Sequence, residues 1–468
     1  MKKRKILALS CILATFIFIS CDDDKSIGLP PTPPIPSFNV SIKSRTGDFE
    51  VIQNKTLTLV GVVNPSDEIP SNTVYTWTIN GVMQASTDTV LNFANPLAGE
   101  YSVTFSAANE FGTNSASITV KVRGKYMNGV FILNEGNLST EDGSLIHIDE
   151  DGQITGNVSM EINGNEFGKT SQHMFIGNKK VYIVSKATDA ERRRRVVVLD
   201  LETMREVADY TDDLNAANLA SCDNIAALND EIFLSAQTNA IHSFNTITKT
   251  VTKIKNGNVA LMRMHTAKGK LFAVNGQSVK VFETGKDTIS AQIDFGATIR
   301  SIARTGDDNI YVAFANEIKK LNADDYSIMA TSTLSTGSIA AGAEGAWATS
   351  AHQSISAKGD TVYFYSSTSS PINIYRHIFS ENRTTLIINA SPYLPYSMNY
   401  GGVAISPKTG NVYISTIGSY GGYKSENAIT VIKFEKGAAP GADAIKHVED
   451  YIGYTRFAAG IYLPENYE

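Results

Sequence analysis

The side chains of this chain that are best placed for chemistry are aromatic, amide and arginine groups beside short apolar strands. They come just after or just before such strands, in the positions where loops are expected. Flat rings stack on a ligand while amides and guanidinium groups supply hydrogen bonds, so the set suits a large neutral polar ligand. Its members are Asn134, Glu135, Asn137, Gln172, His173, Arg263, Arg300, Trp347, His352, Tyr396, Tyr400, Tyr420, Tyr423 and Arg456.

The motifs of common catalytic sites do not occur in the sequence. It contains no Gly-x-Ser-x-Gly, no His-Glu-x-x-His and no glycine-rich phosphate loop leading into a helix. Residues 149–152 and 305–309 resemble calcium loops, but they fall at strand-to-strand turns, where Asp, Asn and Gly are ordinary. The arginine run 192–195 is interpreted as a solvated loop. We therefore predict no catalytic residue, no metal site and no cofactor.

Seven short apolar strands position the candidate side chains. Each follows a turn rich in Gly, Asn or Asp, and the copies recur at steps of roughly 40 or 50 residues, the spacing of a propeller of four-stranded blades. One such unit cannot bury its apolar face alone, so the copies must stack into a closed ring. The copies begin at residues 130, 181, 232, 271, 310, 362 and 412.

The strands around each copy indicate how the ring closes. If the strands of a blade are lettered A to D from the inside outward, each copy is a strand B and is followed by a strand C. The first copy lacks a strand A, whereas residues 456–463 have the pattern of a strand A with no strand B after them. Pairing the two removes the exposed sheet edges. We expect a seven-bladed β-propeller over residues 126–468, with the B–C and D–A loops around one mouth of its channel, where ligand sites are preferred.

Residues 38–123 form a separate block of alternating strands, so the whole chain is predicted to be all-β. Asn80-Gly81 within it is a strong type I′ hairpin signal. The block resembles the PKD-like branch of immunoglobulin-type sandwiches at Tyr75, Trp77, Gly99, Tyr101, Val103, Ala107, Asn109 and Gly112. The resemblance implies a β-sandwich with Trp77 in its core, acting as a spacer or an interaction domain.

The amino terminus has the pattern of an export signal. Residues 1–20 combine a basic start with an apolar stretch too short for a membrane span. Residues 18–21 resemble a bacterial lipobox, which implies acylation of Cys21; a plain secretory signal is the alternative. The acidic residues 22–24 resemble the surface-export signal of Bacteroidetes-type lipoproteins, or belong to a solvated tether of residues 21–37 with an extended Pro-rich part. We expect an outer-membrane lipoprotein at the cell surface, attached to the membrane by its lipid.

Charge and cysteine content narrow the classes of function. Without the four basic residues of the signal, 37 Lys and Arg stand against 47 Asp and Glu, a net charge of −10. This mildly acidic balance argues against nucleic-acid binding as the main role. Cys222 is the only cysteine beyond Cys21, so no disulfide framework is expected.

The first strand B and its surroundings carry a further resemblance. Residues 131–137, which end in Asn-Glu-Gly-Asn, and residues 143–149 downstream resemble the YncE-like or surface-layer seven-bladed propellers of Bacteroidetes lipoproteins. Some of these, the BtuG-type proteins, capture cobalamin and pass it to a TonB-dependent transporter. The resemblance implies a non-catalytic surface protein that presents a ligand to such a transporter, with a corrinoid as first candidate and a glycan or peptide next.

Two other functions are compatible with the sequence. One is an adhesion or scaffold protein that binds another protein through the sandwich and the side of the propeller. The other is a hydrolase or lyase, since propellers host such sites; its candidate residues are Glu135, His173 and His352.

Overall fold

The computed structural model describes residues 38–66, 69–136, 140–186, 194–219, 221–236, 240–341, 353–407, 409–434, 445–454 and 457–464. The prediction of an all-β fold is confirmed, because nearly all regular structure in these ranges is strand. Within the same ranges, no helix is long and apolar enough to cross a membrane. The predicted signal, the tether and Cys21 lie outside the described residues.

The first eight strands form two sheets that face each other. They are β1(Asn39–Ser44), β2(Glu50–Ile52), β3(Leu57–Asn64), β4(Val74–Ile79), β5(Val82–Met83), β6(Val90–Phe93), β7(Gly99–Asn109) and β8(Gly112–Arg123). One sheet has the order β1-β3-β6 and the other the order β2-β8-β7-β4-β5. We call this unit the amino-terminal sandwich.

A tightly packed aromatic pair lies in the core of the amino-terminal sandwich. Trp77 is fully buried, and its ring centroid lies 4.7 Å from that of Phe105. Gly61 faces the same ring, because a Cβ at this position would lie 2.5 Å from it. The turn between β4 and β5 places Asn80 and Gly81 at φ of 49° and 79°, as a type I′ turn requires.

The remaining strands of the described residues form seven four-stranded antiparallel sheets, the blades of a β-propeller fold. The first blade contains β9(Val130–Asn134), β10(Ser144–Ile148) and β11(Ile154–Thr155). The second to fourth contain β12(Ser171–Gly177), β13(Lys180–Ser185), β14(Val196–Asp200), β15(Glu206–Asp209); β16(Cys222–Leu228), β17(Glu231–Ala236), β18(Ala240–Asn245), β19(Val251–Asn258); and β20(His265–Ala267), β21(Lys270–Asn275), β22(Ser278–Phe282), β23(Ala291–Asp294).

The fifth to seventh blades follow the same plan. They contain β24(Ser301–Arg304), β25(Ile310–Ala313), β26(Glu317–Leu321), β27(Ile328–Thr333); β28(Ile355–Lys358), β29(Thr361–Tyr365), β30(Asn373–Ile378), β31(Arg383–Asn389); and β32(Met398–Ile405), β33(Val412–Ile417), β34(Asn427–Phe434), β35(Ile445–Ile452). The last strand is β36(Ala458–Tyr462). Short helices lie in several connections: α1(Val158–Asn163), α2(Thr211–Ala216) and the 3₁₀ turns Lys125–Met127, Phe379–Glu381 and Ser391–Tyr393.

The last strand completes the first blade. β36 pairs with β9 in antiparallel register, with Ile461 opposite Ile132 and Tyr462 opposite Phe131. The first blade thus has the order β11-β10-β9-β36, so its strand A comes from the far end of the chain. Pairing β36 with β9 covers a sheet edge that would otherwise be open.

The core of the propeller lies between neighbouring blades. Buried apolar side chains from facing sheets form shared clusters, and one of these joins the first blade to the second through Leu133, Ile183 and Tyr462. Another joins the seventh blade to the first through Tyr413, Ile429 and Ile461. Since every blade buries its faces only against its neighbours, the ring is the smallest unit that can be stable.

The strand directions divide the propeller into two faces. The A strands of neighbouring blades contact one another, as β12 contacts β16 and β32 contacts β36, so strand A is innermost. Because neighbouring strands are antiparallel, the B–C and D–A connections emerge on one face, which we call the upper face. The A–B and C–D connections emerge on the opposite, lower face.

The amino-terminal sandwich contacts the lower face. The Glu202 carboxylate lies in the connection between β14 and β15, 3.6 Å from the Arg123 guanidinium, and it accepts a hydrogen bond from the Gly124 N–H. Lys55 of the sandwich forms an ion pair with Asp151, which lies in the connection between β10 and β11. Both acidic residues lie in C–D connections, so the sandwich lies beneath the first two blades.

The chain enters the amino-terminal sandwich at the end that is remote from the propeller. The Asn114 side chain, near the start of β8, donates a hydrogen bond of 2.6 Å to the Phe38 carbonyl. Arg123, at the other end of β8, contacts the lower face. Phe38, the first described residue, therefore lies at the end of the sandwich opposite the propeller.

Candidate functional site

The sequence-predicted residues that come together lie on the upper face, where the seventh, first and second blades meet. Glu135 directly follows β9, Gln172 lies at the start of β12, and Tyr400 lies near the start of β32. The B–C connection of the seventh blade adds Tyr420 and Tyr423. Three blades thus contribute to one candidate site because their A strands begin and their B strands end on the upper face.

Glu135 is the buried ionisable group of this site. Its side chain is 8% exposed, and the Tyr400 hydroxyl donates a 3.0 Å hydrogen bond to its Oε1. Burial raises the pKa of Glu135 to about 7, while hydrogen bonds from Tyr400 and Gln172 and the charge of Lys186 act in the opposite direction. Burial also raises the pKa of Tyr400, and the nearby Glu135 carboxylate raises it further. The carboxyl group of Glu135 therefore changes charge near neutral pH.

Four aromatic rings lie beside Glu135 and form what we call the aromatic platform: Tyr400, Tyr420, Tyr423 and Phe457. Tyr423 and Phe457 are stacked, with ring centroids 3.8 Å apart. The Tyr400 ring lies 5.1 Å from Phe457 and 5.9 Å from Tyr420. Tyr420 is 62% exposed, which leaves a ring face open to a ligand on a supported aromatic base.

Charged pairs border the aromatic platform. The Tyr423 hydroxyl donates a 3.0 Å hydrogen bond to Glu141, which also forms an ion pair with Lys424. On the side of the second and third blades, Lys186 lies 3.1 Å from the Asp223 carboxylate, and both side chains are largely buried. Each of these described charges has an opposite charge beside it, so the pairs add polar groups to the border of the platform without adding net charge.

Two predicted site residues lie in the interior of the ring and do not face solvent. His173 is fully buried, and its Nδ1 accepts a 3.3 Å hydrogen bond from the Ile225 N–H. Burial and the Arg263 charge hold the pKa of His173 well below its usual range. Arg263 stacks on Tyr462, with 4.0 Å from its guanidinium carbon to the ring centroid, and donates to the Ile461 carbonyl. These contacts connect the fourth blade to the closing strand across the ring.

The other predicted residues are dispersed along the upper face. Asn134 is buried and donates to Ser144 Oγ and to the Tyr454 carbonyl, so it holds the connection before β36 in place. Arg300 and Tyr396 are half-buried in the connections before β24 and β32. Four predicted residues lie outside the described ranges: Asn137, Trp347, His352 and Arg456.

The interpretation of the arginine run as a solvated loop is wrong for its two described members. Arg194 bridges Glu206 at 2.6 Å and Asp209 at 3.1 Å, both on β15. Arg195 is 2% exposed, and its Nη1 donates to Asn215 Oδ1. Arg194 thus contacts the acidic residues of β15, and Arg195 contacts Asn215 of α2, so both arginines connect parts of the second blade.

The sequence-based set did not include several residues of the site. Phe457 looks like the first residue of a closing strand, but its positive φ of 55° turns its ring toward Tyr423. Lys186 and Asp223 belong to different blades, so only the fold brings them together. One sequence signal could have identified Phe457 as a site residue: it is a bulky apolar residue in a D–A connection, where polar residues are usual.

The described residues also enclose a cavity on the lower face. It has a volume of about 260 Å³ and lies between the first and seventh blades, where Asp149, Lys433, Glu449 and Tyr451 line it. In the described ranges, no group of three or more His, Cys, Asp or Glu side chains could hold a metal ion. Of the carboxylates that line the cavity, that of Glu449 accepts a hydrogen bond from the Tyr451 hydroxyl and forms an ion pair with Lys433.

Comparison with known proteins assigns the blade region to a family. The model of a family described as a domain of unknown function (DUF5074) matches residues 128–452. The chain belongs to this family. The DUF5074 match begins just before β9 and ends with β35, so it covers the blades but neither the amino-terminal sandwich nor the closing strand. No curated protein matches the chain in sequence.

Solved structures match the chain at low sequence identity and low TM-score. A quinoprotein alcohol dehydrogenase-like protein from Bacteroides thetaiotaomicron is 14% identical with a TM-score of 0.48, over 89% of this chain and 96% of that chain. The computationally designed Ika8 protein is 9% identical with a TM-score of 0.42, over 73% of this chain and 100% of that chain. A chain of the mitotic checkpoint complex is 9% identical with a TM-score of 0.36, over 57% and 76%. Because these TM-scores are below 0.5, the fold of this DUF5074 protein is assigned from its own strand pairing.

Proposed function

We propose that this protein is a non-catalytic capture protein that binds a ligand on the upper face of its propeller. It is attached to the outer membrane through lipid on Cys21, exposed at the cell surface, and delivers the ligand to a TonB-dependent transporter. A corrinoid is the first candidate ligand and a glycan or peptide the next. The amino-terminal sandwich is a PKD-like spacer between the anchor and the propeller.

The observation that supports this function best is the aromatic platform. Its exposed ring, Tyr420, rests on a base formed by Tyr400, Tyr423 and Phe457, so a flat or sugar-like group can stack on it without disturbing the core. Aromatic rings in such positions bury a large area at a low cost in side-chain entropy.

The electrostatics of the site favour a ligand of low net charge. The Glu141–Lys424 and Lys186–Asp223 pairs are balanced, and Glu135 is neutral below pH 7 because burial raises its pKa to about 7. A strongly charged ligand would lose its hydration without meeting an opposite net charge. Hydroxyl and amide groups, in contrast, find partners in these side chains.

Calorimetry of the protein with cyanocobalamin tests the corrinoid assignment. Replacing Tyr420 by Ala removes the exposed ring and leaves the buried base intact, so affinity should fall about 5- to 30-fold, as for loss of an aromatic contact of about 1–2 kcal/mol. The control is Leu386→Ala, which removes an exposed apolar side chain on the outer strand β31. No heat and no spectral shift with wild-type protein at micromolar concentration would exclude the corrinoid, and the same titration would then be made with glycans and peptides.

An adhesion or scaffold function is the second candidate, and an exposed apolar edge favours it. β5 is the outermost strand of its sheet, and Val82 and Met83 on it are 67% and 71% exposed. Such an edge can accept a strand from another protein. Met83→Lys should abolish capture of a surface protein by the immobilised chain. Capture of the transporter alone, unaffected by this change, would count against adhesion.

A further inference from the structure

The cavity on the lower face, between the first and seventh blades, is lined by both apolar and polar side chains. Its apolar part is formed by Ile148, Val431 and Leu463, which are at most 3% exposed. Its polar part contains carboxylates, hydroxyls and an amide: Asp149, Ser406, Thr409, Asn411, Glu449 and Tyr451. The volume of about 260 Å³ lies below the range of about 300–1,000 Å³ for drug-sized ligands, so the cavity has room for one small ring and not for an extended molecule.

Asn411 supplies a donor and an acceptor side by side. It is half-buried in the connection between β32 and β33, and its side-chain amide has no hydrogen-bond partner among the described residues. Thr409 precedes it, and its Oγ1 accepts a 3.2 Å hydrogen bond from the Asn411 N–H, so the Thr409 hydroxyl proton can be donated to a ligand. An amide with neighbouring N–H and C=O groups matches two adjacent hydroxyls, because each hydroxyl both donates and accepts.

Asp149 supplies a second acceptor on the opposite blade. Its Oδ1 accepts from the backbone N–H groups of Asp151 and Gln153, at 3.0 and 2.7 Å. Its Oδ2 has no hydrogen-bond partner among the described residues. A carboxylate has about four lone-pair sites, so Asp149 can accept further hydrogen bonds from a ligand while the two backbone bonds hold it in place.

Tyr451 supplies an acceptor that is fixed in position. Its hydroxyl has one proton, which it donates to Glu449 Oε2 at 2.6 Å, so only the oxygen lone pairs remain for a ligand. Gly152 allows this arrangement, because it has a φ of 83° and a Cβ there would lie 2.7 Å from the Tyr451 hydroxyl oxygen. An acceptor that is held before the ligand arrives reduces the entropy lost on binding.

Two carboxylates of the lining already have cationic partners. Glu449 lies 3.0 Å from the Lys433 ammonium, and Asp151 forms an ion pair with Lys55 of the amino-terminal sandwich. A cation that entered the cavity would compete with these two lysines for the same carboxylates. A neutral ligand with many hydroxyls would instead use the lone pairs that the ion pairs leave open, so a neutral ligand is favoured.

We propose that the cavity on the lower face binds one neutral monosaccharide ring. The hydroxyls of the sugar bond to Asn411, Thr409 and Asp149, and its apolar C–H groups lie against Ile148, Val431 and Leu463. A pyranose ring has this combination of a polar edge and an apolar face, and it is small enough for the volume. The site lies on the opposite face of the propeller from the aromatic platform, so it is independent of the ligand proposed there.

Saturation-transfer NMR of the protein with glucose, galactose, mannose or fucose at millimolar concentration tests the proposal. At least one of these sugars should receive saturation from the protein, most strongly at the C–H protons of one ring face. Crystals soaked in that sugar should show one ring within hydrogen-bond distance of Asn411. Absence of transfer to all of these sugars would overturn the proposal. Transfer to putrescine, a diamine, without transfer to any sugar would also overturn it, because the carboxylates would then select a cation.

Variants show whether the sugar binds in this cavity. Asn411→Ala should lower the affinity about tenfold, as for the loss of one or two hydrogen bonds, and its side chain makes no bond within the described residues that folding would lose. Asn165→Ala is the matched control, since it removes an exposed amide outside the cavity and should leave the affinity unchanged. Loss of transfer in Tyr420→Ala but not in Asn411→Ala would place the sugar on the upper face, and the proposal would then be wrong.

Discussion

Glu135 shows how the packing of three blades raises the pKa of one carboxyl group. The backbone places it directly after β9, where its N–H donates to the Phe457 carbonyl and its carbonyl accepts from the Ser171 N–H, at 2.8 and 2.9 Å. These bonds hold the residue between the first and second blades, and Tyr400 of the seventh blade then covers its carboxyl group. The side chain is therefore kept away from water by three blades, and this burial is what raises its pKa.

The raised pKa of Glu135 predicts a loss of stability as the pH rises. The carboxyl group ionises near pH 4.5 in the unfolded chain but near pH 7 in the folded protein, so between these values only the unfolded chain gives up the proton. The contribution of Glu135 to the free energy of unfolding is therefore greatest below pH 4.5 and falls by up to about 1.4 kcal/mol per pH unit until pH 7. Urea unfolding at pH 5 and pH 8 measures this change.

Glu135→Gln should make the free energy of unfolding less dependent on pH, because the amide does not ionise. Its oxygen can still accept the hydrogen bond from the Tyr400 hydroxyl. The variant should be more stable than the wild type at pH 8 and similar to it at pH 5. Glu381→Gln, which changes an exposed carboxylate paired with Arg383, is the control and should keep the wild-type profile. An unchanged profile in Glu135→Gln would show that the carboxyl group is more solvated than its 8% exposure indicates.

At the scale of the elements, β36 contacts two blades at once. It is the innermost strand of the first blade, its Ala458, Ala459 and Ile461 are buried, and it also contacts β32 of the seventh blade. A strand in this position holds together two blades that are adjacent in space but lie at opposite ends of the propeller sequence.

Ile461→Pro should therefore destabilise the protein by about 3 kcal/mol or more, because proline removes a ladder hydrogen bond inside a buried strand. The matched control is Met329→Pro. Met329 lies on the edge strand β27, is 50% exposed and falls at a register shift, so proline there should cost about 1 kcal/mol or less. Chemical unfolding compares the two variants. If the two variants lose similar amounts of unfolding free energy, β36 contributes no more to stability than an edge strand.

The elements were predictable because strand alternation is a local property. A short apolar strand that recurs after turn residues indicates blades without knowledge of their contacts, and the strand-A pattern of residues 456–463 coincides with β36(Ala458–Tyr462). The site was only partly predictable. Tyr400 and Glu135 are 265 residues apart, and the burial of Arg195 and Arg263 depends on partners from other segments. No local pattern distinguishes an arginine in a loop from one that turns into the ring.

At the scale of the whole molecule, the junction between the amino-terminal sandwich and the propeller sets their relative position. Gly124 packs directly against the Glu202 backbone, where a Cβ would lie 2.1 Å from the carbonyl oxygen. The ion pairs at this junction are partly exposed, so solvent screens them and they contribute little to holding the two units together. The close backbone contact therefore matters more than the charges for holding the two units together.

Gly124→Ala should loosen the junction without unfolding either unit. Single-molecule energy transfer between dyes on Glu110→Cys, at the far end of the sandwich, and Asp325→Cys, on the lower face, should show a broader distance distribution than wild type. Cys11 and Cys21 are replaced by serine for this experiment, and burial raises the pKa of Cys222 to about 12, which keeps it unlabelled.

The control for the junction is Gly306→Ala, because a Cβ there meets its nearest neighbour at an ordinary 3.7 Å. Its distance distribution should match the wild type. If Gly124→Ala also leaves the distribution unchanged, contacts other than the one with Glu202 hold the sandwich in place.

The position of the closing strand determines when the aromatic platform can form during synthesis. Of the aromatic platform, Tyr400, Tyr420 and Tyr423 come from the seventh blade, and Phe457 comes from the segment that completes the first. A growing chain has no platform before Phe457 has been added, because the rings of the seventh blade lack their partner until then. The ligand binding proposed for the platform would therefore begin only after the seventh blade and the closing segment are both in place.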